Sequence, residues 1–141
     1  MTLSELPQLD ALVRRAEALD PDWGRGALQT FLIQYDMAQI QGSQKEAVQK
    51  AWNHFRRAVL LSKGMDAAPF VTMAEAVAVQ TQNVQLFETL LRQALAIDPD
   101  LYPQNRLMNL VMQRRARRLL QKEEELFLIL PSNASQPKRK Q

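Results

Sequence analysis

Two stretches, "RAEALDPD" (Arg15 to Asp22) and "RQALAIDPD" (Arg92 to Asp100), decide the fold. Each sets an alanine five residues ahead of a proline, Ala16 before Pro21 and Ala94 before Pro99, at the end of a helical pattern. An Asp-Pro-Asp stop follows both, and the proline cannot continue the helix. Working outward, apolar residues recur at helical spacing nearly everywhere, and Gly and Pro punctuate them. A first helix is expected from Pro7 to Leu19 on Leu9, Leu12, Val13 and Ala16, and a second from about Trp23 to Gln41. Gly42 stops it, and Ser43 with Glu46 three residues later reads as a capping box for a third helix ending near Ser62. Asp66 is the expected cap of a fourth helix running to Gln80. A fifth spans Asn83 to Ile97, and a sixth Pro103 to Leu128. No alternating strand pattern with hairpin turns appears, so the expected fold is all-α with about six helices.

The third helix carries two apolar stripes, Val48, Trp52, Phe55 and Val59 beside Ala47, Ala51, Ala58 and Leu61, and is expected to be covered on two sides. Its Ala51, Phe55 and Ala58 reproduce A-x3-F-x2-A, and with the alanine-to-proline spacing these are pieces of the second helix of a tetratricopeptide repeat. Small residues there let paired helices approach closely. The rest of the signature is worn down. Tyr35, Ala38, Gln39 and Gly42 stand where Trp, Leu, Gly and Tyr are usual, and equivalent positions recur at 42 and then 36 residues. The chain reads as a cryptic tetratricopeptide-like helical-hairpin array of about three pairs, a kind of scaffold that binds on a concave surface and rarely does chemistry.

Composition fits one domain. A chain of 141 residues, 46% hydrophobic and 23% charged, can bury a continuous core and lies far from disordered composition. A single helical repeat domain over 1–130 and a disordered basic tail over 131–141, "PSNASQPKRKQ" from Pro131, are expected. The formal charge of +3 sits in Lys138, Arg139 and Lys140; removing these three of 18 basic residues leaves 15 against 15 acidic ones. A neutral body argues against nucleic acid as a partner, since phosphate neutralisation supplies most of that affinity. There is no cysteine, which removes disulfides, thiol catalysis and cysteine metal sites. No apolar run approaches the roughly 18 residues needed to span a bilayer. The opening "MTLSELPQLD" lacks the pattern of a secretory signal.

"DPDWGRGALQTFLIQY" (Asp20 to Tyr35), the segment from "AWNHFRRAVLL" through "ALAIDPD" (Ala51 to Asp100), and "RLMNLVMQRRARRLLQKEEELF" (Arg106 to Phe127) together resemble the T component of tripartite ATP-independent periplasmic (TRAP) transporters, often called TatT. The last stretch is the most specific part. The resemblance implies a helical, tetratricopeptide-like periplasmic protein, a lipoprotein in its precursor form, that partners a periplasmic substrate-binding protein. It also implies a small hydrophobic ligand, no cofactor and no catalysis. The chain departs from the family pattern in lacking an export signal and a lipid-accepting cysteine. Its glycine-rich stretch is reduced to Gly24 and Gly26 around Arg25, its two-glycine turn reads Gly42, Ser43, and Arg118 stands where an aromatic is common. The alternative function is a general tetratricopeptide-like adaptor for proteins or peptides, unrelated to transport.

Individual residues sharpen these expectations. His54 is the single histidine and, with no second one to complete a metal or acid/base set, reads as structural. Glu75 is the one charge in "APFVTMAEAVAVQTQNV" and needs a cation if it is covered; Arg114 or Arg115 of the last helix, or His54, is the expected partner. Arg114 and Arg115 are expected as half-buried clamps. On that last helix Met108, Met112, Ala116 and Leu119 form the expected inward seam with Leu107 and Val111 near it, while Arg106, Asn109, Gln113 and Arg117 form a polar stripe. Among Trp23, Phe31, Tyr35, Trp52, Phe55 and Phe70, most are expected in the core. Ligand or partner contacts are assigned to Trp23, Tyr35, Phe70, Arg106 and Asn109. "LFLIL" (Leu126 to Leu130) would make a homo-oligomer or partner surface unless it folds back. No paired catalytic carboxylates, nucleophile with base or phosphate loop is present, so an enzyme is not expected.

Overall fold

The computed structural model describes residues 5–39 and 42–128. The expected tail over 131–141, and Ile129 and Leu130 before it, lie outside them. Among the described residues there are seven α-helices and no strands. They are α1 (Leu6–Leu19), α2 (Ala27–Ala38), α3 (Gln44–Leu61), α4 (Ala68–Met73), α5 (Val84–Leu95), α6 (Arg106–Gln121) and α7 (Glu123–Leu126). A 3-10 turn, Trp23–Gly26, precedes α2, and a second, Pro103–Asn105, precedes α6. A π-helical turn, Ala74–Ala78, extends α4.

Local chemistry sets several boundaries. Ser43 Oγ accepts from the Glu46 N–H at 3.1 Å while Glu46 Oε1 accepts from the Ser43 N–H at 3.3 Å, so the capping box that opens α3 is complete. Asn83 caps α5 through the Leu86 N–H at 3.0 Å. Asp66 does not cap α4. Its carboxylate turns instead to Arg25 and Asn105, and the Ala67 N–H is met by Asn109 Oδ1 of α6 at 2.8 Å. The second helix also starts later than its apolar face suggests, because Gly24, Arg25 and Gly26 all take left-handed backbone angles.

Contacts between side chains and backbone give the helix directions. Gly26 lies against Ala58, His54 bonds Asp36, and Gln39 shares a cleft with Ala47, so α2 and α3 run antiparallel. Ala67 with Asn109 and Glu75 with Arg115 climb together, so α4 and α6 are parallel. Central α4 contacts α2, α3, α5 and α6. The main core gathers Ile33, Phe55, Val71, Met73, Phe87 and Leu91 across these helices. The alanines Ala51, Ala74, Ala78, Ala94 and Ala116 are fully buried in this core, and Ala58 is fully buried as well. Of the first helix only Val13 is buried, in a small cluster with Leu32 and Tyr35; Leu12, expected on its inner face, is exposed.

The largest correction concerns α6. Asn109 (0% exposed) and Gln113 are buried, whereas Leu107 (75%), Met108, Leu110 and Val111 are exposed. Helix ends leave backbone groups without intrahelical partners, and inside a core only a polar side chain can meet them. Asn109 joins the Ala67 N–H to the Met65 carbonyl at 2.9 Å, and Gln113 Nε2 donates to the Ala94 and Ile97 carbonyls at 3.0 and 2.7 Å. One amide therefore finishes the start of α4 and the other the end of α5. The inward seam keeps Ala116, with Met112 and Leu119 half-buried. The expected sixth helix also ends early: the chain breaks at Lys122, and Phe127 turns in to meet Phe87 at a ring separation of 4.9 Å. Gln82 fixes that return by donating to the Leu126 carbonyl and accepting from the Leu128 N–H. Leu128 itself stays exposed.

Candidate functional site

Two loops distant in sequence, the one between α3 and α4 and the one before α6, converge on the guanidinium of Arg25. It lies over the Tyr102 ring at 3.7 Å, donates to Asp66 Oδ1 at 3.2 Å and reaches the Ser62 carbonyl at 3.4 Å. Asp66 Oδ1 accepts a second bond, from Asn105 Nδ2 at 2.9 Å. The backbone of Arg25 has φ 58°, a region that L residues avoid. Gly26 before α2 is required by contact as well as by its φ of 103°, since a Cβ there would lie 3.0 Å from the Ala58 backbone. The sharp turn between these glycines is what swings Arg25 across to the loops before α4 and α6.

Beside this cluster opens a cavity of about 250 Å³. Ala27 and Thr30 of α2, Ala68 and Pro69 of α4 and Met108 of α6 line it, with Arg25, Asp66 and Asn105 at its edge. Apolar walls with a few convergent polar groups are the usual composition of a small-molecule site. A wider groove of about 460 Å³ runs between α3, α4 and α5 past Trp52, Phe55, Phe70 and Leu90. There Phe55 packs edge-on to both Trp52 and Phe70, at 5.5 and 5.3 Å. The Arg25 cavity is the better candidate although it is smaller, because it alone of these two joins an apolar wall to a charged anchor.

The residues assigned from sequence are scattered. Phe70 lines the aromatic groove, while Trp23 is 62% exposed and lines neither cavity. Tyr35 is buried, its hydroxyl donating to Asp10 Oδ1 at 2.9 Å; burial and then that bond hold its phenol above the usual pKa. Arg106 donates to Asp100 at 2.7 Å on the surface, and the amide of Asn109 is spent inside the fold. Glu75 meets Arg115, whose Nε donates to Oε1 at 2.9 Å, and the hydrogen bond raises the guanidinium pKa further. Arg114 is exposed rather than half-buried, and Arg115 too keeps about half its side chain in water, at 53%. The linear pattern does not group Arg25, Asp66, Tyr102 and Asn105; the "WGRG" interruption is their one local sign.

His54 is structural in its contacts. Its Nδ1 lies 2.7 Å from Gln29 Oε1 and its Nε2 lies 2.9 Å from Asp36 Oδ2. Gln29 is oriented by donating to the Pro21 carbonyl at 2.9 Å. Asp36 also accepts from Arg14 at 2.6 Å. Burial pushes the Asp36 carboxyl up, but the bonds from His54 and Arg14 and the charge of Arg14 outweigh it and leave it below its ordinary value.

Antiparallel and parallel helices packed about α4, with a small cavity of mixed lining beside Arg25, define an all-α helical scaffold. The chain belongs to a family described as the TRAP transporter T-component, which matches residues 1–127. It is also similar to an uncharacterized protein of Treponema pallidum (strain Nichols), 30% identical over 119 residues that cover 83% of this chain. The chain spans 36% of that relative's length. No helix among the described residues is long and apolar enough to cross a membrane.

Proposed function

We propose that this chain is a non-catalytic accessory of a TRAP transporter that docks the transporter's periplasmic substrate-binding protein and shelters a small, largely apolar ligand in the Arg25 cavity. The observation that supports it most is family membership along residues 1–127. A T component works on the extracytoplasmic side, and lipid anchoring of the precursor belongs to the same reading. The cavity supports the ligand part: Met108, Pro69 and Ala68 offer apolar contact, and Arg25 offers guanidinium donors beyond those used by Asp66 and Ser62. The helical-pair architecture is read as tetratricopeptide-like on the antiparallel α2–α3 pair and the buried alanines of the core.

Titrating the purified substrate-binding protein into the purified chain tests the docking. A Kd of about 10 μM or tighter, roughly −7 kcal/mol, is expected for a working transient contact. For the ligand, native mass spectrometry of the chain isolated from an envelope extract should show a bound small molecule that disappears in Thr30→Trp, which fills the cavity. An equally loaded Thr30→Trp protein would move the ligand out of this cavity.

A further inference from the structure

The exposed face of α6 changes character halfway along its length. Leu107, Val111, Arg114 and Arg118 follow one another at i, i+4, i+7 and i+11, so they form a single stripe, and all four are exposed. Leu110 with Arg117 repeats the division beside it. The first two turns of this face are thus apolar and the last two cationic, with centres about 10 Å apart at 1.5 Å per residue. Arg115 is answered by Glu75, but among the described residues no carboxylate pairs with Arg114, Arg117 or Arg118. Folding does not explain these leucines, since the buried side of α6 is completed by Asn109, Gln113 and Ala116.

The arrangement discriminates between occupants. A helix lying on an anionic membrane separates apolar and basic residues across its axis, so that one side enters the acyl region while the other meets headgroups. Here both kinds share one side, and burying Leu107 would drag Arg114 and Arg118 with it. A second copy laid along the same face fares no better. Antiparallel pairing sets leucines against arginines, and parallel pairing sets arginine against arginine. We infer that the outer face of α6 docks a different folded protein, whose surface carries an apolar patch beside a cluster of carboxylates about 10 Å away. Resting on the docking reading above, this fixes both the face used and the chemistry of the partner.

The test measures binding of the purified substrate-binding protein to the full chain and to three variants. These are Leu107→Ser/Val111→Ser, Arg114→Glu/Arg118→Glu, and Arg56→Glu/Arg57→Glu, which makes the same charge change at two exposed arginines of α3. Each α6 double variant is expected to weaken binding by about tenfold or more, with Arg56→Glu/Arg57→Glu unchanged. Raising salt from about 50 to about 500 mM should weaken the wild type and, because glutamates would then face carboxylates, strengthen whatever binding Arg114→Glu/Arg118→Glu retains. Circular dichroism melts confirm that the variants fold, as exposed positions should allow. Undiminished binding by both double variants overturns the α6 assignment and leaves docking standing. No binding by the wild type removes the docking reading and this inference together. If instead the double variants abolish self-association in sedimentation, or binding to phosphatidylglycerol vesicles, the occupant is a second copy or a membrane and the inference is overturned.

Discussion

Arg25 carries two opposed contributions that substitution can separate. Its left-handed backbone costs about 1–2 kcal/mol relative to a residue without a Cβ, while its guanidinium joins Tyr102, Asp66 and Ser62. Arg25→Ala loses the clamp and keeps the strain; Arg25→Gly loses the clamp and releases it. Both should destabilise the chain, with Ala the worse by about 1 kcal/mol in urea midpoints. Equal destabilisation would mean that the backbone there is not held left-handed in solution. Little of this corner was legible in the sequence. Gly24 and Gly26 mark an interruption, but Asp66 and Tyr102 come from distant loops, and a one-dimensional pattern does not show which loops meet.

At the scale of elements, α1 joins the body by few apolar contacts and leans on the Arg14–Asp36–His54 connection to α2 and α3. Asp36 has a lowered pKa in the folded chain, so its contribution is fully present above the ordinary carboxyl value of 3.8 and is lost as pH falls through the lower, folded one. Thermal melts between pH 7 and pH 3 should therefore show a loss below about pH 4 that Asp36→Asn largely removes, at the cost of a lower melting point near neutrality. A profile unchanged by Asp36→Asn would place the acid sensitivity elsewhere. Helix existence was legible throughout because caps and stops are local: Ser43 with Glu46, Asn83, and the two Asp-Pro-Asp turns act within one turn of the chain. The faces of α6 were not, because Asn109 and Gln113 are buried by what they do for the ends of α4 and α5. The break at Lys122 was hidden for the same kind of reason, since Phe87 and Gln82 draw Phe127 inward from another helix.

Across the whole molecule, stacked helices normally contact only their neighbours, and such arrays fray from an end. Asn109 works against that. Removing its amide leaves the buried Ala67 N–H and Met65 carbonyl unanswered, so Asn109→Ala should cost about 2–4 kcal/mol in chemical denaturation. Hydrogen exchange should locate the damage at the first amides of α4 as well as in α6; a change confined to α6 would argue that α4 is held without it. The borrowed cap also has a kinetic and proteolytic meaning. Because α4 is finished by a residue that arrives 42 positions later, a chain emerging from synthesis or nicked after α5 has no closed start to its central helix. The halves are thus sewn into one cooperative unit, and a truncated product should be cleared by proteases and not persist as a shorter working array.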